Sequence, residues 1–303
     1  MADTSLPIVV LSGRTVLLDD RLDAEPLTIF HGYCEAQRRR WCSTRIRGWQ
    51  PGDSQVALDG EIVGAGEDPR IFTYNDWPAI VSVSVPPGEG PRTYLIECGP
   101  NSSSRWRLIL PPGLREGKNY APFVDHDGQL GFVHSYDPPV ILREYRRDVG
   151  VLELVASGGL SAISEMGPHG YSAYRGGTNG VAVGRYILGV GHTTRAFPDG
   201  PRFLPDGSGI DYFRHRPYGW LLDLQSNDML TFDVVGPFLP EFEGIDPTSL
   251  ISLGDGKFEL FTTEVERHFR ERQGRRQVAA YHFQLSSDFL LQAARIFDHA
   301  KVQ

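Results

Sequence analysis

The stretch Arg70-Ile71-Phe72-Thr73-Tyr74-Asn75-Asp76-Trp77-Pro78-Ala79-Ile80-Val81-Ser82-Val83-Ser84-Val85 decides the fold class of this chain. Two runs rich in β-branched and aromatic residues flank the turn-forming pair Asn75-Asp76, which is the pattern of a β-hairpin. Two further apolar runs, 93–98 and 105–110, follow after short polar gaps. The sequence therefore predicts an up-and-down meander of antiparallel strands in this region.

The same unit recurs along the chain, which is rich in turn residues, with 34 Gly and 22 Pro among 303 residues. Units of this length and build are typical of the blades of a β-propeller. We therefore expect an all-β fold, a five-bladed β-propeller that forms a single domain over residues 1–303. The blades are predicted at roughly 27–65, 70–112, 118–156, 174–226 and 246–285. A short C-terminal helix is predicted over Asp288–Asp298, after the capping residues Ser286 and Ser287.

The composition excludes several classes of function. A net charge of −8 does not favour a nucleic acid polymer as partner, because such binding depends on Lys and Arg that release counterions. No apolar run approaches the ~18 residues of a membrane span, and the first residues lack the basic and apolar regions of a secretory signal. We therefore expect a cytoplasmic protein. The three cysteines form no C-x-x-C pair, so neither a metal nor a cofactor is predicted.

A charged turn precedes the first strand of the second blade and holds Glu67, Asp68 and Arg70. Pro69 restricts the residue before it, so we expect Asp68 in an extended conformation. A carboxyl group held in one direction suits a proton donor. Taken alone, the turn fits a local Asp–Arg ion pair equally well.

Polar residues recur at the corresponding positions of the later blades. They are Lys118, Asn119, Asp137, Arg175, Thr178, His192, Arg195, Glu243 and Asp246. Carboxylates, amides and cations that converge on a concave surface are typical of a sugar-binding site. Each turn by itself also fits a solvated loop or a tight bend, and a histidine at a strand end also fits a structural role.

Five large aromatic residues allow two interpretations. They are Trp41, Trp49, Tyr120, Tyr136 and Trp220. Such side chains serve either as platforms on which sugar rings stack or as parts of the hydrophobic core.

The run Gly66-Glu67-Asp68-Pro69-Arg70-Ile71 resembles the E-D-P-R motif of glycoside hydrolase family 130, the β-mannoside phosphorylases and hydrolases. The related glycosyltransferase family 108 shares the five-bladed propeller fold of that family. The turns at Lys118-Asn119 and Arg175-Gly176-Gly177 and the strand end at Gly191-His192 are similar to later blades of such proteins. The resemblance covers roughly residues 27–285.

The resemblance implies an enzyme that acts at a glycosidic bond with inversion. Asp68 matches the catalytic acid of the family, which passes its proton through a sugar hydroxyl, and Arg70 would orient that acid or hold the sugar. The phosphate in those enzymes is held by Arg, Lys and His. Residue type points to four positions for this role here, namely Lys118, Arg175, His192 and Arg195.

Three functions remain open on these residues. In the first, Asp68 is the acid of a glycosidic bond cleavage. The attacking group is then either water activated by Glu243 or Asp246, or phosphate, which attacks directly. The second is a metal-free glycosyltransferase that uses a sugar nucleotide or a sugar phosphate, and the third is a glycan-binding propeller without catalysis. The expected partner is a small molecule or an oligosaccharide. In the two enzyme hypotheses, phosphate or a sugar nucleotide is a second substrate.

Overall fold

The structure is a computed structural model. It describes residues 9–10, 12–16, 28–34, 39–46, 55–58, 61–84, 86, 89–99, 103–118, 120–136, 139–157, 174–196, 202–203, 210–211, 213–235, 245–254, 257–264, 280–285 and 295. Within these residues the chain forms β-strands and the short 3-10 helix Arg147–Val149. Of the predicted C-terminal helix, only Arg295 is described, in a helical conformation; the rest lies outside the described residues.

The strands alternate with short turns along the whole described chain. They are β1 (Val9–Val10), β2 (Ser12–Val16), β3 (Thr28–Cys34), β4 (Arg39–Ile46), β5 (Gln55–Leu58), β6 (Glu61–Ala65), β7 (Glu67–Tyr74), β8 (Trp77–Ser84), β9 (Arg92–Cys98), β10 (Ser103–Arg107), β11 (Ala121–Val124), β12 (Leu130–Tyr136), β13 (Pro139–Arg146), β14 (Val151–Ser157), β15 (Tyr174–Arg175), β16 (Val181–Val183), β17 (Tyr186–Ala196), β18 (Arg202–Phe203), β19 (Ile210–Asp211), β20 (Phe213–Asp223), β21 (Met229–Val235), β22 (Ile245–Gly254), β23 (Lys257–Glu264) and β24 (Ala280–Leu285).

The strands form five principal sheets. Three are four-stranded antiparallel meanders in chain order: β3 to β6, β7 to β10 and β11 to β14. The fourth joins β15 and β16 to β17, β20 and β21, and β1 adds to its outer edge in parallel. The fifth joins β22, β23 and β24 to β2. A separate two-stranded hairpin, β18–β19, also lies within the described residues.

The first strand of each sheet faces the middle of a ring. Strand β3 contacts β7, β7 contacts β11, β11 contacts β16, and β22 contacts β3, β7 and β16. The chain of contacts therefore returns to its beginning, which is the arrangement of a closed propeller. The predicted all-β, five-bladed propeller is confirmed, whereas the assignment of all 303 residues to one domain remains a prediction.

The hairpin that decided the fold class forms as expected. Asn75 and Asp76 have φ angles of 49° and 64°, so both central residues of the turn are left-handed. This is the backbone of the two-residue turn whose twist matches the flanking strands. Tyr74 pairs with Trp77 and Ile71 with Ile80 across the hairpin.

Adjacent sheets pack face to face through apolar side chains. A core cluster joins the second and third sheets and contains Phe72, Tyr74, Ala79, Val81, Leu95, Leu130, Phe132, Val140, Leu142 and Leu152. In β13, Val140 and Leu142 belong to this cluster, whereas Ile141 packs with the fourth sheet. Since side chains alternate along a strand, β13 contributes to two cores, which explains its continuous apolar run Val140–Leu142.

The fifth blade differs from its predicted span of 246–285. Its outer strand is β2, which pairs with β24 from Ser12–Gln284 to Val16–Ala280. No strand is predicted before residue 27, so this closure by the N-terminal part of the chain is new information from the structure. The blade thus combines residues from both ends of the described chain.

Candidate functional site

The predicted polar turns lie on one face of the ring. Each sheet begins with its inner strand and continues as an antiparallel meander, so the inner strands run in the same direction around the ring. We call the face where β3, β7, β11, β15 and β22 begin the strand-start face. Asp68, Lys118, Arg175 and Asp246 all lie at or just before the start of an inner strand. The common position predicted from the sequence is therefore present in the fold.

The turn before the second blade is a backbone bulge, not the expected extended segment. The pairing of β7 with β8 shifts between Glu67 and Arg70. Asp68 within this bulge has a φ of 51°, which corrects the prediction that Pro69 keeps it extended. Asp tolerates left-handed backbone better than most residues, but the conformation still costs free energy. An extra residue in a strand also redirects its side chain, and such bulges are frequent beside active sites.

Gly66 lets this bulge approach the neighbouring strand. Its φ is 149°, and a Cβ atom placed on it would lie 2.8 Å from the Ser82 Oγ and 3.2 Å from the Val83 carbonyl oxygen. A side chain at position 66 would therefore push the bulge away from β8. Asp68, two residues later, is half-buried.

Arg70 is a deeply buried cation of the predicted site. It is 2% exposed and lies on β7, immediately after the bulge. Its positive charge acts on Tyr136 at the end of β12, where it lowers the pKa of the phenol, although burial raises that pKa by more. The cation of the second blade and the phenol of the third are thus electrostatically coupled.

The loop before the third blade has a different construction. Lys118 is exposed, and the backbone around it is held by two aromatic side chains. The Gly117 N–H donates to the Tyr120 hydroxyl at 2.9 Å, and the His134 Nε2–H donates to the Arg115 carbonyl oxygen at 3.0 Å. The Tyr120 and His134 rings stack with centroids 4.7 Å apart. We call the Tyr120–His134 pair the loop clamp.

Backbone contacts dominate the turn before the fourth blade. A Cβ atom on Gly177 would lie 2.7 Å from the Val190 carbonyl oxygen and 2.9 Å from that of Pro247. The glycine therefore allows the close approach of another backbone. The amide of Asn179 both donates to and accepts from the backbone of Leu250, at 3.0 Å and 3.1 Å, and so ties blade four to blade five.

Thr178 is fully buried, and its hydroxyl serves the backbone. The Val190 N–H donates to the Thr178 Oγ1 at 3.0 Å, and that hydroxyl donates to the Asn179 carbonyl oxygen at 2.8 Å. The assignment of Thr178 to substrate binding remains a prediction. The two hydrogen bonds to the backbone already use its hydroxyl as an acceptor and as a donor.

Arg175 and His192 come together in the fourth blade as neighbours in β15 and β17. His192 is 2% exposed, and the Arg175 side chain is half-buried. The Arg175 carbonyl oxygen accepts a hydrogen bond from the Tyr218 hydroxyl at 3.2 Å. A cation and an imidazole are thus placed side by side at the strand-start face.

The other predicted site residues are described in part or not at all. Only the backbone is described for Glu67, Arg195 and Asp246. Asn119, Asp137 and Glu243 lie outside the described residues. The residues that the fold brings to one face are Asp68, Arg70, Lys118, Arg175 and His192. All of these assignments to a site remain predictions.

The structure adds two residues that the sequence analysis did not place in the binding set. His134 donates a hydrogen bond to the Arg115 carbonyl, and the charge of Arg70 acts on the pKa of Tyr136. Of the aromatic residues considered as platforms, Tyr120, Tyr136 and Trp220 are at most 3% exposed, so their rings offer no open face on which a sugar could stack. Trp41 lies in β4 with only its backbone described, and Trp49 is outside the described residues.

Within the described part of the chain, no group of three or more His, Cys, Asp or Glu side chains is placed to hold a metal ion. A search of the same residues finds no helix with the length and apolar character needed to cross a membrane.

Comparison with known proteins yields no matching family model and no matching curated protein. Solved structures do share the fold. A mannose phosphorylase from Leishmania mexicana, in complex with phosphate ion, superposes with a TM-score of 0.55 and 13% identity, over 94% of this chain and 91% of its own. A GDP-Man-dependent mannosyltransferase from the same organism gives 0.56 and 14%, over 90% and 89%.

A third structure is a family 43 glycoside hydrolase, a β-1,3-galactosidase. Its TM-score is 0.51 and its identity 12%, over 90% of this chain and 59% of its own. At these identities the similarity establishes the fold. The resemblance stated from the E-D-P-R motif is therefore confirmed at the level of the propeller.

Proposed function

We propose that the protein is a carbohydrate-active enzyme that cleaves or transfers a glycosyl unit with inversion, and that Asp68 is its acid. The observation that carries the proposal is the bulge at the start of β7. It holds the half-buried Asp68 in a left-handed conformation next to the buried cation Arg70. Strained backbone of this kind persists where the surrounding structure fixes it, and it concentrates at active sites.

In this mechanism the Asp68 carboxyl donates its proton toward the departing glycosidic oxygen, either directly or through a sugar hydroxyl. Arg70 orients that carboxyl or holds the sugar. Lys118, Arg175 and His192 lie on the same face and supply donors and positive charge for an anionic group. The attacking group is phosphate or water; for water, Glu243 or Asp246 is the proposed base.

The glycosyltransferase reading is the second candidate, and similarity to the GDP-Man-dependent mannosyltransferase favours it. In that reaction the cations Lys118, Arg175 and Arg195 stabilise the leaving phosphate. No metal ion is invoked. Both candidates place a sugar at the strand-start face and differ in the group that attacks or leaves, so one panel of substrates separates them.

The test compares the purified protein with Asp68→Asn and the control Asp76→Asn. Both aspartates have positive φ, 51° and 64°, and Asp76 lies in the hairpin at the opposite end of β7. Asn tolerates left-handed backbone, so each change removes only the carboxylate. Aryl mannosides are supplied with and without inorganic phosphate, and mannose 1-phosphate and GDP-mannose are each supplied with and without mannose as acceptor. Release of aglycone, of phosphate or of GDP is measured, and transfer requires that release depend on the acceptor.

We expect Asp68→Asn to lower the turnover rate by about 100-fold to 10,000-fold, the usual contribution of general acid catalysis, while Asp76→Asn keeps the rate. Phosphate-dependent release of aglycone supports phosphorolysis, and release of GDP supports glycosyl transfer. Equal turnover by Asp68→Asn contradicts the role of Asp68. Sugar binding without turnover, retained in Asp68→Asn, supports a glycan-binding propeller instead.

A further inference from the structure

Tyr136 is the last residue of β12, which runs antiparallel to β11, and it therefore lies at the strand-start face in the third blade. Its side chain is 3% exposed, and its hydroxyl has no hydrogen-bond partner among the residues that the structure describes. A buried hydroxyl without a partner destabilises the folded state, because its hydrogen bonds to water are lost without replacement. Such a group calls for an explanation.

Other buried tyrosines of the described chain do have partners. The Tyr74 hydroxyl donates to the Glu144 Oε2 at 2.7 Å, and the Tyr218 hydroxyl donates to the Arg175 carbonyl oxygen at 3.2 Å. The Tyr120 hydroxyl accepts from the Gly117 N–H. Each of these three buried phenol groups thus forms a hydrogen bond within the protein, and Tyr136 differs from them.

The Tyr136 ring is fixed by its neighbours. It meets the Tyr218 ring edge to face, with centroids 5.8 Å apart and an angle of 82°, and it lies 5.8 Å from the Trp220 ring. Tyr218 in turn packs edge-on against Tyr174, 5.0 Å away. Packing on these sides restricts the orientation of the Tyr136 ring, so its hydroxyl is held in one place.

The electrostatic surroundings of the hydroxyl favour a donor. Burial raises the pKa of Tyr136, and the positive charge of Arg70 opposes this only in part. The phenol is therefore protonated at neutral pH and carries an O–H. That O–H lies in the region where Arg70 of the second blade and Tyr218 of the fourth blade meet the third blade.

We propose that Tyr136 is a ligand-binding residue whose hydroxyl donates to an oxygen atom of the sugar or phosphate group that Arg70 holds. The inference rests on the proposed function and adds a residue to its site. An oxygen held jointly by a phenol and a guanidinium satisfies the unpaired hydroxyl. A site built around such a bond also rejects analogues that lack the oxygen.

The test is Tyr136→Phe, with Tyr218→Phe as its matched control, since both delete one buried hydroxyl in the same aromatic cluster. Three quantities are measured for each: kcat/KM, the unfolding midpoint without ligand, and its shift with inorganic phosphate, mannose or GDP-mannose. We expect Tyr136→Phe to lower kcat/KM by about 10-fold to 100-fold, as for other hydrogen bonds to polar or charged ligand groups.

The unfolding midpoint of Tyr136→Phe is expected to stay constant or rise, because an unsatisfied hydroxyl is removed. Its ligand-induced shift is expected to shrink. Tyr218→Phe is expected to unfold earlier, because it loses the bond to the Arg175 carbonyl. A Tyr136→Phe variant with parental kcat/KM and parental ligand shift overturns the inference, as does one that unfolds earlier while its ligand shift is unchanged.

Failure of the proposed function has a different signature. In that case the unmodified protein neither turns over nor responds to any ligand of the panel, and the assignment of Tyr136 falls with it. If instead the unmodified protein responds and Tyr136→Phe responds equally, only the assignment of Tyr136 is overturned.

Discussion

The turns that precede β7 and β11 occupy equivalent positions in neighbouring blades, and the structure builds them in opposite ways. The bulge at 66–70 fixes Asp68 through its backbone, with a left-handed residue and a close contact to β8. The loop at 111–120 leaves Lys118 exposed and depends on the side chains of the loop clamp, Tyr120 and His134. The backbone of the bulge restricts the position of the Asp68 carboxyl group, which suits proton transfer. The loop clamp fixes only the base of its loop, so the Lys118 side chain can adjust to a ligand.

The largest difference in unfolding free energy is expected between the variants Gly66→Ala and Gly113→Ala. Both glycines have positive φ, but only Gly66 is crowded, with Ser82 and Val83 within 3.2 Å of the added Cβ. Nothing lies within 4 Å of that position at Gly113. We expect Gly66→Ala to lower the free energy of unfolding by about 2–3 kcal/mol, from strain and overpacking together, and Gly113→Ala by about 1 kcal/mol, from strain alone. Urea denaturation measures both, and equal losses would contradict the account of the bulge.

The second prediction concerns the clamp. Tyr120→Phe removes the acceptor of the Gly117 N–H, so we expect a loss of about 1 kcal/mol in unfolding free energy. The loop should also open more often, which exposes the bonds after Arg115 and Lys118 to trypsin. Limited proteolysis followed by mass spectrometry measures the cleavage rate. Tyr145→Phe, at a tyrosine that is 65% exposed, serves as the control. An unchanged cleavage rate in Tyr120→Phe would show that the clamp does not hold the loop.

The third prediction is a pH dependence at His134. Burial lowers the pKa of this imidazole below its ordinary 6.5, and the bond to the Arg115 carbonyl opposes the shift only in part. Well above pH 6.5 the imidazole is neutral in both the folded and the unfolded state, and it adds no pH dependence. As the pH falls from 6.5 toward the lower folded-state pKa, the unfolded state binds the proton first, so stability decreases.

His134→Gln keeps a donor for the carbonyl but does not titrate. We expect the loss of stability on acidification from pH 6.5 to be smaller in this variant than in the parent protein, by well under 1 kcal/mol at pH 6. Chemical denaturation at a series of pH values measures it. Parallel curves for the two proteins would contradict a buried, neutral His134.

The smallest effect is expected at Arg107, which forms an exposed ion pair with Glu116 on the outside of the loop. Such pairs contribute at most about 0.5–1 kcal/mol and are screened by salt. Arg107→Ala should therefore leave both the trypsin cleavage rate and the unfolding free energy nearly unchanged at 0.15 M salt, a physiological ionic strength. If Arg107→Ala lowers the unfolding free energy as much as Tyr120→Phe does, the ion pair stabilises the loop as strongly as the clamp, which contradicts this prediction.

The local sequence pattern was sufficient to predict the hairpins and the common position of the polar turns. Asn75-Asp76 adopts the predicted turn, and Asp68, Lys118 and Arg175 reach the same face because the blade period places them there. The conformation of Asp68 was predicted wrongly. The effect of Pro69 on the preceding residue is a local preference, and the register shift with β8 overrides it.

Tertiary contacts account for what the sequence analysis missed. The role of His134 depends on a carbonyl 19 positions away, and that of Tyr136 on an arginine in another blade. Neither relation leaves a periodic signal in the chain. The same holds for β2, whose partner β24 comes from the far end of the described chain.

The pairing of β2 with β24 has a consequence for how the molecule is made. The fifth blade needs β2, which emerges from the ribosome before every described strand except β1, and its partner β24, which emerges after all the other described strands. Closing so long a loop is slow, because its entropy is lost before the contacts form. Until then, four blades can assemble while the edge of β24 stays open to pairing with another chain. Ring closure is therefore the step at which this protein is most exposed to misassembly during synthesis.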